Sequence, residues 1–136
     1  MNQNFKISRV YPIAPSFLSS LVRLSIDNCL FTPPSGLTPI DPCQGATLNI
    51  KSELEDSFGL YTSTLTFLTT RAYAPGRGQC YLCELTDGTR MIVGCALPPF
   101  PVSTYEDKHG RPGDRTSKLR EVTVVWKAPM PALEVV

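Results

Sequence analysis

Histidine is nearly missing from this chain: His109 is the only one in 136 residues. A single imidazole narrows the available schemes, because common zinc sites and nucleophile–base pairs draw on histidine. A surplus of either charge is missing too. Thirteen Lys and Arg stand against twelve Asp and Glu, a net charge of +1. No basic excess marks a nucleic-acid binder, and no acidic excess marks a cationic partner. Long apolar runs are absent, with nothing near the roughly 18 residues that span a bilayer, so no membrane partner is expected. The opening MNQNFKISRV lacks the apolar stretch of a secretory signal. There are no internal repeats.

Proline, by contrast, is abundant. Its thirteen copies cluster at Pro33/Pro34, Pro39/Pro42, Pro98/Pro99/Pro101 and Pro129/Pro131. Such clusters break helices and mark strand ends. The chain is 42% hydrophobic and 18% charged, which suits one folded domain with a real core. Five cysteines are an odd number without a secretory context, which predicts reduced thiols in a cytosolic compartment.

Period-2 patterns dominate and predict an all-β fold, an antiparallel β-sandwich or small barrel. FKISRVY places Phe5, Ile7 and Tyr11 on one side. ATLNIKS alternates Ala46, Leu48 and Ile50 against polar neighbours. LYTSTLTFLTT puts Tyr61, Leu65 and Phe67 on one face, and LREVTVVWK does the same for Val122, Val124 and Trp126. ELEDSFG reads as a solvated acidic connector, LPPFPV as extended chain, and STYEDKHGRPGDRTSK as a long charged loop. Residues 16–22 read as one short helix with Ser16 as N-cap. LVRLSI reads equally as a strand through Val22, Leu24 and Ile26, and both alternatives stay open. Residues 1–127 form the expected β domain. Residues 128–136 form a C-terminal extended arm, apolar and without an evident partner inside a small domain.

GQCYLCEL (78–85) carries a C-x-x-C spacing. Asp87-Gly88 beyond it calls for a two-residue type I′ hairpin, with Cys83 opposite Ile92, Tyr81 opposite Gly94 and Cys80 opposite Cys95. Residues i and i+3 of a strand face opposite ways, so Cys80 and Cys83 diverge. Redox dithiols need a helix N-terminus, and zinc knuckles need converging sulfurs. The thiols therefore read as small buried hydrophobes, ahead of a metal site recruiting Cys29 or Cys43. His109 with Glu106, Asp107 and Asp114 reads as part of a solvated loop, ahead of a carboxylate–histidine metal site. Tyr61, Phe67, Tyr81 and Trp126 read as core, ahead of a base-stacking platform on an OB-like single-strand-binding barrel. No catalytic residue, metal or cofactor is expected.

The segment order carries a resemblance. An acidic stretch runs into YTSTLTFLTT. A D-G hairpin, CYLCELTDGTRMIVG, follows with its proline-bearing extension, and LREVTVVWKAP closes the series. Over about residues 46–127 this resembles small structural proteins encoded in the morphogenesis regions of tailed phages and prophages of gut anaerobes. The resemblance implies a non-enzymatic virion component of the tail or head–tail neck, with capsid decoration as the alternative. It implies a homo-oligomeric ring or tube, contacts with other virion proteins, proximity to packaged DNA, and assembly in the host cytoplasm. Expected contact residues are Met130, Leu133, Val135 and Val136 of the tail, and Tyr105, His109 and Arg111 of the 103–118 loop. Glu53, Glu55 and Asp56 are expected to face a DNA-conducting lumen.

Overall fold

Strand β1 (Asn2–Ile13) is shared by two halves of one sheet. Its start pairs with β4 (Gln44–Glu55), from Asn2↔Lys51 to Lys6↔Thr47. Its end pairs with β6 (Cys80–Leu85), from Ile7↔Leu85 to Ile13↔Cys80, with a bulge between Ile7 and Arg9. A bulge adds one residue, bends the strand and raises its twist. The extra residue is Ser8, whose hydroxyl donates to Glu84 O at 3.0 Å. This structure is a computed structural model that describes residues 2–41, 43–55, 58–70, 73–107 and 119–135, excluding the side chains of 2, 53–55, 58 and 59.

The remaining strands are β2 (Val22–Arg23), β3 (Asn28–Leu30), β5 (Phe58–Thr70), β7 (Arg90–Val93), β8 (Val102–Asp107), β9 (Leu119–Ala128) and β10 (Leu133–Val135). Their order across the sheet is β2-β3-β10-β7-β6-β1-β4-β5-β9-β8. All neighbours run antiparallel except β10 and β3. The expected all-β architecture is present as one open mixed sheet; a closed barrel does not form.

Because β1 bends, the two halves face each other across the larger core. Leu48, Leu65, Phe67, Val122, Val124 and Trp126 come from one half, and Val10, Tyr81, Cys83 and Val93 from the other. The Phe67 and Tyr81 rings meet edge-on, 6.3 Å between centroids. A smaller core covers the opposite face of β6 and β7 with Ile13, Leu18, Phe31, Leu82, Ile92 and Leu133. Strand β6 is thus buried on both faces, which is why CYLC is apolar without alternation.

Alternation holds wherever a strand is regular: Ala46/Leu48/Ile50, Leu65/Phe67 and Val122/Val124/Trp126 all point into the larger core. It fails at the bulge. Ile7 and Val10 share that core, whereas Tyr11 packs on the smaller one, contrary to the Phe5/Ile7/Tyr11 expectation. Two expected loops are strands instead. The acidic stretch continues the β4–β5 ladder to Glu55↔Phe58, and Val102–Asp107 pairs along β9. Pro15–Ser20 is a 3-10 turn led by its proline, with Ala14 rather than Ser16 at the N-cap and only Leu18 buried. The alternative strand exists for two residues only, Val22–Arg23.

The hairpin register also differs by one. Gly88 N donates to Leu85 O at 3.0 Å and Leu85 N to Thr89 O at 2.7 Å, so the loop has three residues, 86–88, with Gly88 at φ +92°. A type I turn followed by a glycine bulge satisfies D-G as well as a type I′ turn does. Tyr81 therefore faces Val93. Cys80 packs against Gly94, where a Cβ would collide with its sulfur and stand 2.8 Å from its Cβ.

The C-terminal segment is not an arm. Ala132 N donates to the buried Ser63 hydroxyl at 3.1 Å, and Leu133–Val135 inserts between β7 and β3. Leu133 is 1% exposed. The apolar tail finds its partner inside the fold because β3, far away in sequence, supplies an unpaired edge.

Two stability changes follow. Gly94→Ala combines a Cβ collision with φ +122° and should lower urea-unfolding stability by about 2–4 kcal/mol. Ending the chain at Ala128 removes a central strand and should abolish the cooperative thermal transition. An unaltered transition would return the segment to the status of an arm.

Candidate functional site: assembly surfaces

The open sheet leaves two edges, β2 and β8. Strand β2 is two residues long, and shortness is one way an edge is kept from pairing with other chains. Strand β8 has six residues and carries neither lysine nor proline. Among the described residues nothing pairs with its outer side. Val102 is 63% exposed and Tyr105 52%, and exposed Phe100 lines a hollow with Val102. At the other edge Val22, Leu24 and Ile26 are equally open.

The far end of β8 is held rigidly. Arg120 Nε donates to Asp107 Oδ1 at 2.7 Å, and its Nη1 donates to Tyr73 O at 2.8 Å. The same guanidinium lies 3.9 Å over the Tyr105 ring. Tyr73 and Tyr81 share a hydroxyl contact of 2.8 Å, and Ser103 lies 3.5 Å from Tyr81. Burial raises the Tyr73 phenol well above its ordinary range, so both hydroxyls stay protonated and structural.

Between the two half-sheets, on the Gln3–Phe5 side of the bulge, a wedge opens. One hollow of about 330 Å³ has Phe5, Ile50, Met91 and Ala132 among its walls, with Asp27, Asp87 and Glu134 around it. A second, of about 170 Å³, shares Gln3, Asp27, Ile50 and Pro131 and continues past Ser52 and Tyr61. Asp87 Oδ1 accepts from Thr89 N and Asp27 Oδ1 from the Ser25 hydroxyl. Among the described residues no Lys or Arg pairs with these carboxylates.

The expected contact residues are scattered. Tyr105 is at the β8 edge, as an exposed ring. Leu133 is core, while Met130 and Val135 are half-buried against the smaller core, so the tail does not offer the surface expected of it. Val136, His109, Arg111 and Asp56 lie outside the described residues, as do the side chains of Glu53 and Glu55 in β4. The sequence reading missed Val102 and the acidic wedge. Val102 begins a V-S-T-Y stretch whose two large apolar residues are three apart, so it carries no period-2 signal, and prolines precede it. Asp27, Asp87 and Glu134 come from three remote segments, and only the folded sheet brings them together.

Cys80 and Cys83 fall in different cores, so the C-x-x-C sulfurs do not converge. All five cysteines are free thiols. Burial pushes Cys80 up to about 12 and Cys43 up to about 11, and raises Cys29, Cys83 and Cys95 as well. Thiolate, the nucleophilic and metal-binding form, is disfavoured throughout. Among the described residues no three His, Cys, Asp or Glu side chains converge to hold a metal ion.

A folded thiol pKa above the unfolded value of 9.0 contributes stability below pH 9 that is lost as pH rises toward 12. The melting temperature should therefore be flat from pH 7 to 9 and fall steadily from 9 to 11. Mass-resolved alkylation at pH 8 should label Cys95 and Cys43 well before the buried Cys29, Cys80 and Cys83; equal rates would contradict this packing. No protein-family model, curated protein or solved structure matches the chain.

Proposed function

We propose that this chain is a non-enzymatic structural subunit that builds a ring or tube by contacts between copies. It would serve as a tail or head–tail neck component of a virion, the class its sequence resembles. The observation that carries this reading is the open β8 edge. Along 102–106 no strand among the described residues pairs with the outer side of β8, and this side, bordered by exposed Val102 and Tyr105, is a template for another strand. Proteins that stay monomeric blunt such an edge with lysine, proline or a covering loop. The stretch 102–107 holds neither lysine nor proline, and among the described residues no strand pairs with its outer side. The opposite edge differs in length and sequence, so contacts joining the two edges are head-to-tail, the kind that closes into rings when the rotation permits.

Light scattering during size exclusion, with electron microscopy of the same fractions, should show a closed oligomer at micromolar concentration. Val102→Lys with Thr104→Lys should shift it to monomer. Both substitutions are at exposed positions, so thermal stability should change by no more than about 0.5 kcal/mol per site. A wild-type chain that remains monomeric at every concentration would end the assembly reading.

A further inference from the structure

We infer that the hollow bordered by the Pro15–Ser20 turn and residues 95–99 binds a carboxylate with an apolar chain, and that Arg23 is the partner of its negative head. This goes beyond the assembly reading and does not depend on it.

The walls are the first argument. The hollow holds about 410 Å³, within the roughly 300–1,000 Å³ common to small-molecule sites. Leu21, Leu97, Trp126 and Met130 are among its lining residues. Pro98, Pro99 and Pro129 add walls that carry no backbone N–H. Other polar groups of the wall are already engaged. The Cys95 thiol donates to Leu97 O at 2.6 Å, Trp126 Nε1 to Pro99 O at 3.0 Å, and the Ser19 hydroxyl to Ser16 O at 2.9 Å. Water in such a space finds few partners, so its displacement by an apolar chain is favourable. Leu97, 73% exposed, is the side chain an occupant would cover most.

Arg23 is the second argument, and it names the head group. It borders the same hollow from β2. Its Nε donates to Ser25 O and its Nη2 to Ile26 O, both at 3.0 Å. Two carbonyls thus hold one edge of the guanidinium. The other edge, Nη1 with the second N–H of Nη2, has no acceptor among the described residues, and no carboxylate there pairs with it. A planar fork with one open edge matches a carboxylate through two parallel hydrogen bonds. Because the head is already pinned, binding costs less side-chain freedom than at a loose arginine. One cation beside one apolar space selects one negative head joined to one apolar body. An alcohol of the same length fits the walls and leaves the fork unused.

The test titrates decanoate into the full chain and follows the emission of Trp126, its one tryptophan. A saturable change is expected. Decanoate should also slow alkylation of Cys95 at pH 8 at least fivefold, while Cys43, which is not part of the wall, keeps its unliganded rate. Octanoate should bind about tenfold more weakly, at roughly threefold per buried methylene, and decanol at least tenfold more weakly. Arg23→Gln should weaken decanoate at least tenfold and leave decanol unchanged. Arg23 is exposed, so this variant is expected to keep the wild-type circular dichroism and melting temperature. Should it fold poorly, the difference between decanoate and decanol in the unaltered chain decides. No saturable change, equal affinity for decanoate and decanol, unchanged binding by folded Arg23→Gln, or equal protection of Cys43 would each overturn the assignment. Oligomeric state is read separately: failure here leaves the assembly reading standing, and a chain that never assembles leaves this one standing.

Discussion

The bulge at Ser8 is the constraint on which the rest of the molecule depends. Ten strands laid in one continuous sheet would leave each apolar face open to water. A bent β1 lets its first half pair with β4 and its second half with β6, so that the two half-sheets close over Trp126, Phe67, Tyr81 and Leu48. The unpaired residue does not leave its neighbours unsatisfied, because the Ser8 hydroxyl reaches across to Glu84 O. Ser8 is exposed, so water shares in satisfying this corner and the hydroxyl adds a direct tie between the strands.

From that bend the other features follow. Strand β6 is placed in the middle of the sheet with a core on each face, so its four residues from Cys80 to Cys83 are all buried. Small thiols fit where Gly94 comes close on one side and the larger core presses from the other. Strand β10 then fills the gap between β7 and β3, and its neighbour Ala132 is pinned by Ser63. On the Gln3–Phe5 side of the bulge the halves diverge instead of pairing, and the acidic wedge is the space this leaves.

The assembly reading gains from what the sheet leaves undone. A β8 edge without lysine or proline, stiffened at its end by Arg120 against Asp107 and Tyr105, is ordered enough to pair without a large entropic cost.

The sequence by itself determined the all-β class and the inward faces of β4, β5 and β9. Those faces depend on strand periodicity, a local property written in alternate residues such as Leu48/Ile50 and Val122/Val124. It also determined that Cys80 and Cys83 diverge, since three positions along any strand reverse the face. Only the tertiary structure decided the one-residue shift at Asp87-Gly88, the parity change at Ser8, the docking of Leu133 and the gathering of Asp27, Asp87 and Glu134. A bulge or a three-residue turn has no composition that distinguishes it from its alternatives, and a single inserted residue reverses every face beyond it. Leu133 and the three carboxylates depend on pairings between segments far apart in the chain, which no window of neighbouring residues can contain.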